Sequence, residues 1–143
     1  MRFAKLTRLL SALLAALALA AVLVPRAGLA DDASPLGRWL AEDIGGGGVI
    51  DRLQTTLEIN ENGKAFGSGG CNRYMGTAKI EGEKIEFGRV AATMMACVPA
   101  AMDQERKFFS ALEKVKAWRV DPVRRKLTLL DESGAALVVL SRQ

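Results

Sequence analysis

The 143-residue sequence contains no histidine, only two cysteines, and few aromatic residues, which make up 6% of the chain. Without histidine, this chain cannot form Ser-His-Asp or Cys-His catalytic groups, histidine-ligated zinc sites or a histidine-based pH switch. Two cysteines without histidine partners are too few for a typical structural zinc site. Carboxylate chemistry stays open, since the chain has 16 Asp and Glu residues.

The excess of positive charge is confined to the N-terminal thirty residues. These hold four of the 20 Lys and Arg residues and none of the 16 Asp and Glu residues. Residues 31–143 therefore carry 16 charges of each sign, and the formal net charge of +4 belongs to the N-terminal segment. A nucleic-acid-binding protein would keep a basic excess in its folded part. We therefore expect no nucleic-acid partner.

Residues 1–30 have the three-part composition of a secretory signal peptide. A basic segment precedes the uncharged run Leu9–Val24, and small residues follow at Gly28 and Ala30. The pattern predicts cleavage after Ala30 and a periplasmic or secreted protein without a stable membrane span. An uncleaved N-terminal anchor is the alternative, although the run is short for a span of about 20 residues. No cysteine stands at the cleavage site, so a lipoprotein is not expected.

Both cysteines, Cys71 and Cys97, follow the predicted cleavage site. An oxidising compartment would permit a disulfide bond between them, closing a loop of 25 intervening residues. In the chain-entropy model such a cross-link stabilises the fold by about 3–4 kcal/mol. Two separately buried thiols are the alternative interpretation. The predicted export favours the disulfide.

The rest of the sequence predicts short strands and one helix. Alternating apolar residues bounded by turn signals predict strands at 36–43, 53–59, 64–69, 75–80, 84–87, 126–130 and 135–140. A helix is predicted from Pro99, because residues recur there at three- and four-residue steps as an amphipathic stripe. The stripe consists of Met102, Glu105, Phe108 or Phe109, Leu112 and Val115. The conformation of Val90–Val98 stays open, and the order of elements indicates an α+β or barrel-like antiparallel domain.

The most unusual residues form two clusters, Gly69–Gly76 and Thr93–Cys97, followed by Glu105 and Phe108 in a Glu-x-x-Phe pattern. Together they resemble the META/HslJ-like domain, whose signature is a Gly-Cys-Asn-x-Tyr/Met-x-Gly segment, a Thr-x-Met-Ala-Cys segment and a Glu-x-x-Phe helix. The matching signature residues are Trp39, Gly70, Cys71, Asn72, Tyr74, Gly76, Thr93, Met95, Cys97, Glu105, Phe108 and Leu112.

The resemblance implies one domain over residues 36–143, preceded by the signal peptide at 1–30 and a short linker at 31–35. The implied fold is α+β, with an antiparallel β-sheet that curls into a partly open barrel under one main helix. The glycine run Gly45–Gly48 and the aliphatic residues Leu137–Leu140 depart from the family pattern without disturbing this expectation.

The resemblance also implies a non-enzymatic, exported protein of the bacterial envelope. Members of the family are linked to stress, which implies a stress-response or envelope-maintenance role through contact with another envelope protein. We expect a monomer without a cofactor or metal. An enzyme is disfavoured, because the paired carboxylates lie in strand ends and turns, where solvated charge is the ordinary role.

A small carrier of lipid or another apolar ligand is the alternative function. The family fold is similar to that of secretin pilot proteins, some of which hold lipid. Residues that would line such a pocket are Phe66, Phe87, Met94, Met95 and Phe109. Methionines are adaptable fillers, so the alternative for Met94 and Met95 is a place in the core.

Overall fold

The computed structural model describes residues 33–143, so the predicted signal peptide lies outside the described residues. The described chain forms nine strands and one helix. In chain order they are β1 (Gly37–Ile44), β2 (Thr56–Ile59), β3 (Lys64–Ser68), β4 (Arg73–Glu81), β5 (Lys84–Phe87), β6 (Ala91–Ala92), α1 (Pro99–Lys114), β7 (Ala117–Asp121), β8 (Lys126–Leu130) and β9 (Ala136–Arg142).

The strands form one antiparallel sheet in the order β3-β2-β1-β9-β8-β7-β5-β4-β6. An additional pairing of β3 with β4 closes eight of these strands into a ring. The ring is joined most weakly between β5 and β7, where Lys84 and Ala117 are the paired residues. The prediction of an α+β fold with a curled antiparallel sheet and one main helix is confirmed for the described residues.

The core lies inside the ring and under α1, and strand alternation fills it. In β8 and β9, Leu127, Leu129, Val138 and Leu140 are buried, while the residues between them are partly exposed. Trp39 of β1 is fully buried, and its indole N–H donates to the carbonyl of Pro35 at 2.8 Å. Pro35, the last residue of the predicted linker, is buried.

Helix α1 begins at Pro99, as predicted, because proline is favoured in the first turn, where its missing N–H leaves no bond unmade. Its buried residues are Ala101, Gln104, Glu105, Phe108, Ala111 and Leu112. The stripe predicted from the sequence is correct except at Met102, which is 42% exposed. Ala101 takes the inward position instead, because the face that contains 104, 108 and 111 passes through 101.

No helix among the described residues has the length and apolar character that crossing a membrane requires.

The two adjacent phenylalanines of α1 should differ sharply in their effect on stability. Phe108 is fully buried, whereas Phe109 is partly buried at the margin of the core. We expect Phe108→Ala to lower the free energy of unfolding by about 3–5 kcal/mol and Phe109→Ala by about 1–2 kcal/mol. Urea denaturation of both variants measures the difference. Equal losses would show that the helix face is assigned wrongly.

Candidate functional site

The signature residues of the sequence meet at one end of the ring, where three segments come together. These are the β3–β4 loop at 69–72, the irregular segment at 93–98 and the first turns of α1. A disulfide bond joins Cys71 to Cys97 with the Cα atoms 5.9 Å apart. The predicted disulfide is therefore confirmed, and the alternative of two separate thiols is wrong.

Glu105 anchors the β3–β4 loop to the helix. Its Oε2 accepts hydrogen bonds from the backbone N–H groups of Cys71 at 3.2 Å and Asn72 at 2.5 Å. Its Oε1 accepts a third bond from the Asn72 side-chain amide at 2.8 Å. A carboxylate is costly to bury unless such donors replace its water, and Glu105 is buried. Its two oxygens are thus committed to holding the loop.

Asn72 links the β3–β4 loop to the irregular segment at 93–98. Its Oδ1 accepts bonds from the Met95 backbone N–H at 2.7 Å and from the Thr93 hydroxyl at 2.9 Å. Its Nδ2, besides contacting Glu105, lies 3.4 Å from the Met95 carbonyl oxygen. The position needs a side chain that both donates and accepts, and an amide supplies both. The segment at 93–98 is therefore fixed to Asn72 by the backbone of Met95 and the hydroxyl of Thr93.

A second buried chain of hydrogen bonds runs beside the first and was missed in the sequence. The Gln104 side-chain amide donates to the Thr55 hydroxyl at 3.0 Å, which in turn donates to the Gly69 carbonyl at 2.9 Å. The Gln104 Oε1 accepts a bond from the Ile50 backbone N–H at 2.7 Å. A signal was available, because the alternation of Leu57 and Ile59, continued back to Thr55 just before β2, points Thr55 inward, where a hydroxyl needs a partner.

Two glycines make the close packing of the loop possible. A Cβ atom at Gly69 would lie 2.6 Å from the Glu105 Oε2 and 2.9 Å from the Phe109 ring. Gly70 has φ +115°, a conformation that other residues rarely adopt. The loop can therefore approach α1 only where these side chains are missing.

The remaining signature residues lie in the core or in regular sheet. Trp39, Phe108 and Leu112 are buried, and Gly76 pairs with Ala65 across β3 and β4.

Tyr74 belongs to the core as well, since it contacts the rings of Phe108 and Phe109 edge-on. Its hydroxyl donates to the Thr56 carbonyl at 2.8 Å. Burial raises the pKa of Tyr74 well above its ordinary value. The hydroxyl therefore stays protonated and structural at any physiological pH.

The five residues predicted to line an apolar pocket are not brought together. Phe66 lines a shallow groove of about 390 Å³ with Met75 and Ala91, and none of the other four lines it. Phe87 and Phe109 pack against the core instead. Met94 and Met95 are 98% and 60% exposed, so a place in the core is wrong for both. The reason is that Asn72 holds this segment by its backbone and leaves the side chains outside.

The charged groups with shifted pKa values have solvent-exposed side chains and take no part in the hydrogen bonds described above. Lys116 lowers the pKa of Glu86 by a hydrogen bond at 2.8 Å, and Lys107 with Arg106 lowers that of Asp103. These groups are exposed, so their ion pairs contribute little to stability. Within residues 33–143, no three Cys, Asp or Glu side chains converge to form a metal site.

Comparison with known proteins gave one family and three solved structures. A family model described as META domain matches residues 33–143. An NMR structure of a protein from Burkholderia xenovorans is 25% identical, with a TM-score of 0.61 over 75% of this chain and 81% of that one. A second NMR structure is 22% identical, with a TM-score of 0.55 over 73% and 87% of the two chains.

The third similar structure is a crystal structure of a duf4847 family protein from Bacteroides vulgatus. It is 16% identical, with a TM-score of 0.51 over 62% of this chain and 58% of that one, which shows a shared fold alone. No curated protein matches the chain.

The bond between Asn72 and Glu105 can be tested by reversing its polarity. Glu105→Gln places two amide NH₂ groups against each other, and Asn72→Asp places two carboxylates against each other. We expect each single substitution to lower the free energy of unfolding by about 2–4 kcal/mol. The double variant restores one donor and one acceptor, so it should recover about 1–2 kcal/mol relative to the sum.

Urea denaturation of the four proteins at neutral pH completes the cycle. Asp103→Asn is the matched control, because this exposed carboxylate lies on the same helix in surface ion pairs alone. It should change stability by less than about 1 kcal/mol. Strict additivity of the Asn72 and Glu105 variants would contradict the assignment.

Proposed function

Because the chain belongs to the META domain family, we propose that it is a non-catalytic protein of the bacterial envelope that acts by contact with another envelope protein. The family match over residues 33–143 agrees with the resemblance recognised in the sequence. The proposed role is envelope maintenance or stress response, after export and removal of residues 1–30.

The use of the signature residues supports a non-catalytic role. Glu105 and Asn72 are the most conspicuous polar residues of the signature, and both are buried. Every polar atom of their side chains bonds to a backbone or side-chain group of the fold. Catalytic groups must instead reach a substrate with a free donor, acceptor or nucleophile. The signature is accounted for by folding.

The distribution of exposed apolar side chains carries the proposal of protein contact. Seven large apolar residues are exposed in residues 33–143, and five of them lie on or next to the irregular segment at 93–98. These five, the methionine surface, are Met75, Met94, Met95, Val98 and Met102. Concentrated exposed apolar residues indicate an interaction site, and flexible methionine suits protein surfaces that adapt to a partner.

A second candidate function, a carrier of an amphiphilic ligand, is favoured by one groove. The groove has a volume of about 610 Å³ and lies where the start of the β1–β2 loop and β9 face the helix. Ile44, Ala111 and Leu137 form its apolar part, and Lys107 and Lys114 also line it. That combination suits a ligand with an apolar tail and an anionic head.

Native mass spectrometry before and after denaturation separates the two functions. The contact hypothesis predicts a bare monomer in both spectra. A small bound species that is lost on denaturation would support the carrier instead.

Export can be tested with the full chain expressed in a Gram-negative host. We expect the osmotic-shock fraction to contain a protein that lacks residues 1–30 and is two hydrogen atoms lighter because of the Cys71–Cys97 bond. Intact-mass measurement reads both changes. A full-length chain retained in the cytoplasm, or free thiols after export, would contradict the proposed location.

Contact through the methionine surface can be tested by photo-crosslinking in living cells. A photoreactive phenylalanine analogue at Met94 should give a discrete crosslinked product with one partner. The same analogue at Val123 is the matched control, since Val123 is 91% exposed but lies in the β7–β8 turn. Equal labelling from both positions would argue against a specific surface.

A further inference from the structure

The outer edge of β6 has backbone groups that face away from the sheet. The Thr93 backbone N–H donates to the Arg73 carbonyl at 3.0 Å, which continues the pairing of Ala92 with Tyr74. Backbone groups of an antiparallel strand alternate between its two edges, so the N–H and C=O of Ala92 point away from β4. Among the described strands, β6 pairs with β4 alone, and Ala92 is exposed.

Apart from the short length of β6, which has two residues, this edge lacks the ordinary protection against pairing. Native proteins block open edges with charged residues, proline or bulges. Residues 90–98 contain no charged residue and no proline, and they lie between Arg89 and Pro99. The edge is therefore free to accept another strand.

An apolar groove lies on the outer face beside this edge. Phe66 of β3 pairs with Met75 of β4, which pairs with Ala91 of β6, so the three side chains form a row across the strands. They line the groove of about 390 Å³. The charged residue in its lining is Arg73, which makes no ion pair with any residue in 33–143. A suitable occupant thus combines apolar side chains with one negative charge.

We infer that the β6 edge is a docking site for an extended apolar segment of a partner protein that carries an acidic residue. The segment pairs with the free backbone groups of Ala92, its apolar side chains lie against Phe66 and Met75, and its carboxylate pairs with Arg73. This inference rests on the proposed function, because it names the surface and the partner chemistry of that contact.

A second copy of this chain suits the site less well. Strand pairing between two copies would place residues 90–98 of one against the same residues of the other. That segment carries no charge, so it brings no acidic residue to Arg73. Self-association is therefore an outcome that the experiment must be able to detect.

The probe is a displayed library of random twelve-residue peptides, selected on the purified disulfide-bonded protein. We expect enrichment of extended, apolar peptides that contain Asp or Glu. Binding is then measured for individual peptides by fluorescence anisotropy. No enrichment relative to selection on Ala92→Pro would overturn the inference.

Two variants test the two parts of the site. Ala92→Pro removes the outward N–H and leaves the bonds to β4, a position where an edge strand accepts proline. It should weaken peptide binding at least tenfold while the urea midpoint stays unchanged.

Arg73→Glu should weaken the binding of acidic peptides at least tenfold and favour the binding of their Lys-substituted forms. Arg119→Glu, on the exposed side of β7, is the matched charge control and should change binding less than twofold.

Three further results would overturn the inference. Peptide binding could be insensitive to Ala92→Pro and Arg73→Glu, or the selected peptides could lack acidic residues. Sedimentation could instead reveal a dimer that Ala92→Pro dissociates, which would make a second copy the occupant.

Because peptide binding is measured in vitro, a failure of export would refute the proposed function and leave this site standing. Envelope crosslinks confined to another surface would refute this site and leave the proposed function standing.

Discussion

The buried carboxylate of Glu105 is the constraint on which the functional end of the molecule depends. It accepts the two loop N–H groups and the Asn72 amide, and Asn72 in turn holds Thr93 and Met95. A buried charge is tolerated only while its hydrogen bonds are made, so the loop, the irregular segment and α1 must assemble together. Gly69 leaves room for the Glu105 carboxylate, and the disulfide bond joins the loop to the irregular segment.

This arrangement connects the fold to the proposed function. Fixing residues 93–98 by their backbone turns Met94 and Met95 outward and leaves the β6 edge open beside them. The conspicuous signature is thus internal, whereas the surface that it positions is apolar and accessible. A rigid support for an adaptable methionine surface is a reasonable design for a protein that recognises another protein.

Local patterns were enough to predict most of the elements. Alternation located the hairpins, and the stripe of Phe108, Leu112 and Val115 located the helix, because burial on one face imposes a period on the sequence. The same stripe could not choose between Phe108 and Phe109, since they follow Glu105 by three and four residues and both spacings fall on one helix face. It also misplaced Met102 for that reason.

The site itself was predicted only in part. The resemblance identified Asn72, Glu105, Thr93 and Met95 as signature residues, and the disulfide followed from the expected compartment. The contacts among them join residues 21 to 33 positions apart, and the bond from Gln104 to Thr55 spans 49. Periodicity carries no information on such pairs. The methionines were misread because apolar residues are usually buried, and nothing local shows that their segment is held by its backbone.

Native-state hydrogen exchange at neighbouring N–H groups shows whether Asn72 and Glu105 hold residues 93–98 in place. The Met95 N–H donates to Asn72, whereas the Met94 N–H makes no hydrogen bond within the described chain. If the buried Asn72–Glu105 pair fixes this segment, the N–H groups of Cys71, Asn72 and Met95 should exchange only through large-scale unfolding. Met94 should exchange rapidly in the same protein. Rapid exchange at all four positions would mean that Asn72 and Glu105 do not hold the segment.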